Sequence, residues 1–93
     1  MKAHQSENCR TIANFYGKES QVLIAIEEMS ELTKELCKYF RRYNRKKEII
    51  EEIADAEIML EQLKYLFGVH KEVSNQVDYK LERQLRRIEN ERE

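Results

Sequence analysis

Proline and tryptophan are absent from this 93-residue chain, and glycine and cysteine occur twice each. An all-β sandwich or barrel turns every ~8–12 residues and builds those turns from Gly, Pro and Asn. Two glycines cannot supply them, so an all-β fold is excluded. No apolar run reaches the ~18–20 residues of a membrane span. The polar start, Met1-Lys2-Ala3-His4-Gln5-Ser6-Glu7, leads into no apolar stretch, so no signal peptide is expected. Cys9 and Cys37 stand far apart with no Cys-x-x-Cys and no Cys/His cluster. That pattern argues against a disulfide framework or zinc site and fits two reduced thiols in a cytoplasmic protein. An excess of one charge is also missing. Lys and Arg total 17 against 18 Asp and Glu, for a net charge of −1. The whole chain therefore exerts no overall pull on nucleic acid or anionic membrane, although a local patch can.

Charged residues make up 38% of the chain and hydrophobic residues 41%, too many apolar side chains for disorder. The length fits one domain, residues 1–93. Gly17 and Gly68 each follow an aromatic-ended apolar stretch, where a glycine closes a helix. The periodicity lapses again at Tyr43-Asn44-Arg45. These breaks predict four helices, at about 5–16, 19–42, 46–67 and 72–90. The second carries an apolar stripe of Val22, Ala25, Met29, Leu32, Leu36 and Phe40, and the third one of Ile49, Ile53, Ala56, Leu60, Leu63 and Phe67. The fourth has Val73, Val77, Leu81, Leu85 and Ile88; the first is weaker, with Cys9, Ile12, Ala13 and Tyr16. Short connections make neighbours antiparallel, so the expected architecture is an all-α four-helix-type bundle. Leu23, Ile26, Ile50 and Ile58 lie outside the main stripes. Such surplus apolar surface predicts a bundle completed by oligomerisation.

Carboxylates stand where a core is expected. Projected at ~100° per residue, Glu28 falls at the edge of the second helix's apolar arc and Glu31 one turn along. Glu52 falls inside the third helix's arc, and Asp55 lies one turn on at its margin. An unpaired carboxylate in an apolar seam is costly unless it is compensated. One compensation is a buried Lys or Arg, for example from the fourth helix. The other is a divalent cation such as Mg²⁺, which takes oxygen ligands and keeps waters that substrate phosphate can replace. Neither His4 nor His70 follows a core Glu by three residues, which argues against a di-iron site and leaves both as surface residues. Glu27, Glu35, Glu48, Glu51 and Glu57 read as a solvated face, with Glu27 and Glu51 the nearest to being exceptions.

Gln76, Lys80, Arg83 and Arg87 form a stripe beside the apolar arc of the fourth helix, with Asn75 and Tyr79 nearby. The stripe is either a solvated face or a set of phosphate contacts. A basic, aromatic run spans residues 38–47, a composition that also suits nucleic acid. Phe40 fits the core stripe instead and Tyr39 borders it, and cations at a helix C-terminus match its dipole, so nucleic acid is not the expected partner.

The sequence Glu27-Glu28-Met29-Ser30-Glu31, followed after an interval by Glu52-Ile53-Ala54-Asp55, resembles the EExxE…ExxD signature of the MazG-like all-α nucleoside triphosphate pyrophosphohydrolases. The lead-in Tyr16-Gly17-Lys18-Glu19-Ser20-Gln21 and the later Tyr79-Lys80-Leu81-Glu82-Arg83 are also similar to short, single-module members. The resemblance covers about residues 15–88. It implies a homodimer or homotetramer and Mg²⁺-dependent hydrolysis of an NTP or dNTP to the monophosphate and pyrophosphate, with Mn²⁺ as a substitute metal. Glu28, Glu31, Glu52 and Asp55 are the implied metal ligands, and Lys80 and Arg83 the implied phosphate contacts. Glu31 is the first candidate for activating the attacking water and Glu28 the second. Trp, which some pyrimidine-selective relatives use in the base pocket, is absent, so the base is open. Two alternatives are a catalytically silent nucleotide-binding or regulatory module and a small nucleic-acid-binding protein.

Overall fold

The computed structural model describes residues 1–41 and 44–92. It contains four α-helices: α1 (Ala3–Tyr16), α2 (Lys18–Phe40), α3 (Lys46–Phe67) and α4 (His70–Arg92). The architecture is all-α, as the periodicity predicts. The ends differ slightly from expectation, since α1 and α4 each begin two residues early. Of the expected second helix and the basic run, Arg42 and Tyr43 lie outside the described residues.

Local chemistry sets the breaks. At the start of α1, the Lys2 N–H donates to Gln5 Oε1 at 2.8 Å, satisfying one amide the helix leaves unpaired. Gly17 has φ +88°; its N–H donates to Ala13 O at 2.9 Å, closing α1, while its own carbonyl accepts from Gln21 N at 3.1 Å, opening α2. Gly68 sits in the left-handed region at φ +66°, where an L side chain is strained. Val69 N–H then reaches back to Lys64 O at 2.9 Å, the reverse turn that lets α4 leave α3.

Helices α1, α2 and α3 pack on one another, whereas α4 packs only on α3 among the described residues. The radius of gyration is 16.2 Å, against about 12 Å for a compact domain of this length. The buried apolar residues are few and small: Cys9, Ala13, Ala25, Ala56 and Met59. Gln21 and Gln62 are buried with them, Gln62 at 1% exposure, and Gln21 Nε2 donates to Gln62 Oε1 at 2.8 Å. Tyr65 Oη donates to Asn14 Oδ1 at 2.8 Å, joining α3 to α1. The Lys18 ammonium lies 4.1 Å above the Phe67 ring, joining the first turn of α2 to the last of α3. Both cysteines are free: Cys9 is buried and Cys37 exposed.

The larger members of the expected stripes are not buried within the chain. Leu36, Ile53, Leu60, Val77, Leu81, Leu85 and Ile88 are exposed, and Phe40, which the stripe placed in the core, is 82% exposed beside an exposed Tyr39. Between α2 and α3 runs an open apolar trough of about 620 Å³, bordered by Val22, Ile26, Met29, Leu60, Leu63 and Phe67. One chain thus has more apolar surface than its own four helices cover. No helix among the described residues is long and apolar enough to cross a membrane.

Candidate metal centre

Helices α2 and α3 bring three of the four expected acidic residues together. Each of Glu28, Glu52 and Asp55 has a carboxylate oxygen within 4.8 Å of the others'. Glu28 and Glu52 are half-buried and Asp55 is exposed. The i,i+3 spacing of Glu52 and Asp55 stacks them on one side of α3, and Glu28 comes from the facing side of α2. Glu31 is exposed and stands outside the trio, although its charge still acts on Glu28 and Glu52.

The electrostatics oppose full ionisation. Burial pushes the Glu52 carboxyl above its ordinary range, and the charges of Asp55, Glu31, Glu35 and Glu51 push it further. Glu28 is raised by burial first, then by Asp55, which is within hydrogen-bonding reach, and then by Glu52 and Glu31. Among the described residues no Lys, Arg or His forms an ion pair with any of the three, so the buried-cation compensation is not seen there. Among the described residues, Glu52 Oε2 is buried without a hydrogen-bond partner. Three converging carboxylates, one with an orphaned oxygen, form a set of hard donors suited to a hard divalent cation. Glu28, Glu52 and Asp55 are therefore the residues that would hold such an ion.

The ion pair the sequence suggested for Glu52 is made by Glu35 instead. Glu35 was expected on a solvated face, yet it is only 7% exposed. Its carboxylate accepts from Arg45 Nε at 2.9 Å, from Arg45 Nη2 at 3.1 Å and from Lys38 Nζ at 3.4 Å. The Arg45 hydrogen bonds hold its carboxyl below the ordinary range. A signal was present: Glu35 follows Glu28 by seven residues, two turns along the same face. Glu61 forms a second network, 3.0 Å from His70 Nε2 and 3.5 Å from Lys64 Nζ, and ties the start of α4 to α3.

On α4, Lys80 is exposed and Arg83 is half-buried. The Arg83 guanidinium lies 5.8 Å from the Tyr79 ring centre, and its Nε is buried without a partner. Neither cation pairs with Glu28, Glu52 or Asp55 among the described residues. Among family models, curated proteins and solved structures, none matches the chain.

Proposed function

We propose that the chain is a Mg²⁺-dependent nucleotide pyrophosphohydrolase, of the MazG-like kind its acidic signature resembles, converting an NTP or dNTP to the monophosphate and pyrophosphate. The observation that carries the reading is the convergence of Glu28, Glu52 and Asp55 from two helices onto one point. Glu28, Glu52 and Asp55 would hold Mg²⁺, with Glu31 at its edge. The ion, when bound, supplies a Lewis acid for phosphate oxygens. Glu31, exposed and outside the trio, is free to orient water and accept its proton, with Glu28 the second candidate. Lys80 and Arg83 would stand one turn apart against the triphosphate and offset charge on the leaving pyrophosphate.

The test is a panel of common NTPs and dNTPs with Mg²⁺, the products resolved as pyrophosphate or orthophosphate. Stoichiometric pyrophosphate and monophosphate are expected, lost on adding a chelator. Nucleotide binding without turnover would favour a silent regulatory module instead. Salt-sensitive affinity for DNA with no turnover would favour a nucleic-acid-binding protein.

The same reading includes a homodimer or homotetramer, and the open trough between α2 and α3 and the bare apolar stripe of α4 support it. Light scattering at micromolar concentration is expected to give twice or four times the chain mass. Ile26→Asp, at the trough's edge, is expected to shift that mass towards the monomer. A monomer in the unaltered protein would count against the assembly.

A further inference from the structure

We propose that Glu35 is a positioning residue for the carboxylate trio: by holding Arg45 it keeps that guanidinium's positive charge off Glu52, leaving Glu52 open to a divalent cation. The inference rests on the metal-site reading above and adds a residue that the acidic signature does not contain.

Arg45 stands within one turn of Glu48, the acid that opens α3. It is the residue before α3, and Glu48 and Glu52 follow it by three and seven positions, on one face of that helix. Arg45 Nη1 is already 4.0 Å from Glu48 Oε1. Helical side chains lean towards the N-terminus, so Glu52 leans towards Arg45. An orphaned, buried Glu52 Oε2 lacks the donor that a guanidinium would supply. Released from Glu35, Arg45 has two carboxylates ahead of it on α3: Glu48, already 4.0 Å away, and Glu52, whose Oε2 has no donor among the described residues.

The cations around Arg45 also carry a cost for the helix. Arg45, Lys46 and Lys47 place three cations at the start of α3, the end of a helix that favours anions. Glu48 is the acid of that first turn, one against the three cations. Glu35, nine-tenths buried and gripping Arg45 in a two-pronged fork, offsets this locally without involving Glu52. The fork spans ten residues of sequence, from α2 across the connection, and so fixes the Arg45 side chain away from the trio.

The test is Mn²⁺ binding to the intact, assembled protein, read from the spectroscopic signal of free Mn²⁺ without nucleotide. Glu35→Gln is expected to weaken binding by about ten- to a hundred-fold, the range for residues that support metal ligands from behind. Removing the released cation as well, in Glu35→Gln/Arg45→Gln, is expected to restore affinity to near the unaltered level. A merely structural role for Glu35 gives no such recovery. If the single variant folds poorly, Glu35→Leu/Arg45→Leu replaces the pair by apolar bulk; it too should bind Mn²⁺ normally, and a loss there overturns the proposal. Unchanged binding in Glu35→Gln, or a double variant as weak as the single one, also overturns it while leaving the metal site standing. Failure of the unaltered protein to bind Mn²⁺ overturns the metal reading itself, and this inference with it.

Discussion

Glu52→Gln is expected to keep or raise the melting temperature of the metal-free protein, to abolish its stabilisation by Mg²⁺, and to lower kcat/KM by about a hundred- to a thousand-fold. The carboxylate is half-buried, its Oε2 has no donor, and burial and neighbouring charges raise its pKa. An amide in its place carries no charge, so repulsion within the trio falls. Stabilisation by a bound cation follows mass action and disappears with the ligand that held it. The pH dependence has a definite sign. Glu52 and Glu28 have folded-state values above their unfolded ones, so their ionised forms oppose folding, and that penalty sets in as pH rises through the raised values. Glu35 and Glu61 are lowered, so their stabilisation is present near neutrality and is lost as pH falls through the depressed values. Thermal melts of the metal-free protein from neutral pH downwards are therefore expected to rise first and then fall. Glu52→Gln removes part of the rise and leaves the fall. A sharply lower melting temperature for Glu52→Gln would show instead that Glu52 serves the fold through a cationic partner.

Lys80→Ala and Arg83→Ala are each expected to lower kcat/KM by about ten- to a thousand-fold, equally for every nucleobase, with Mn²⁺ binding unchanged. All substrates of the proposed class share the triphosphate, so a phosphate contact cannot discriminate among bases. Arg offers a fork to phosphate and Lys a point charge, so Arg83→Lys is expected to recover only part of the loss. Among the described residues, helix α4 packs on α3 alone and Arg83 Nε is buried without an acceptor. The guanidinium is therefore not committed to a carboxylate of the protein among the described residues, which leaves it available to phosphate once the side chain turns outward. If Arg83→Ala left turnover intact, or altered base preference alone, the phosphate contacts would move to the basic run around Arg41 and Lys47.

The helices were legible because Gly17 and Gly68 punctuate two strong apolar periods, and each glycine does adopt positive φ at a helix end. The trio was legible because Glu28, Glu52 and Asp55 break those periods on the face that meets another helix. Glu31 satisfies the same i,i+3 spacing as Asp55 yet lies outside the trio, because spacing within one helix does not say which member of a pair faces the acids of the other helix. Beyond its seven-residue spacing from Glu28, Glu35 was not legible, because its burial depends on Arg45, ten residues away across the connection to α3, and not on the periodicity of its own helix. Residue type also misled at Phe40: a phenylalanine in a stripe identifies an apolar face, but cannot say whether this chain or another covers it. The stripe of α4, open within one chain, poses the same question.

The buried amide pair of Gln21 and Gln62 acts as an indexing pin for the site. Leu, Ile and Met seams tolerate slippage by a turn, because one apolar contact replaces another. Two desolvated amides do not, since each displaced group would lose its partner in the interior. Seven residues forward from Gln21 is Glu28, and seven back from Gln62 is Asp55. In an antiparallel hairpin those two steps run in the same direction, so the pin brings Glu28 level with Asp55, about two turns away. The spacing of mutually repelling carboxylates is thus inherited from an uncharged contact, which holds the hairpin aligned whether or not a cation is present.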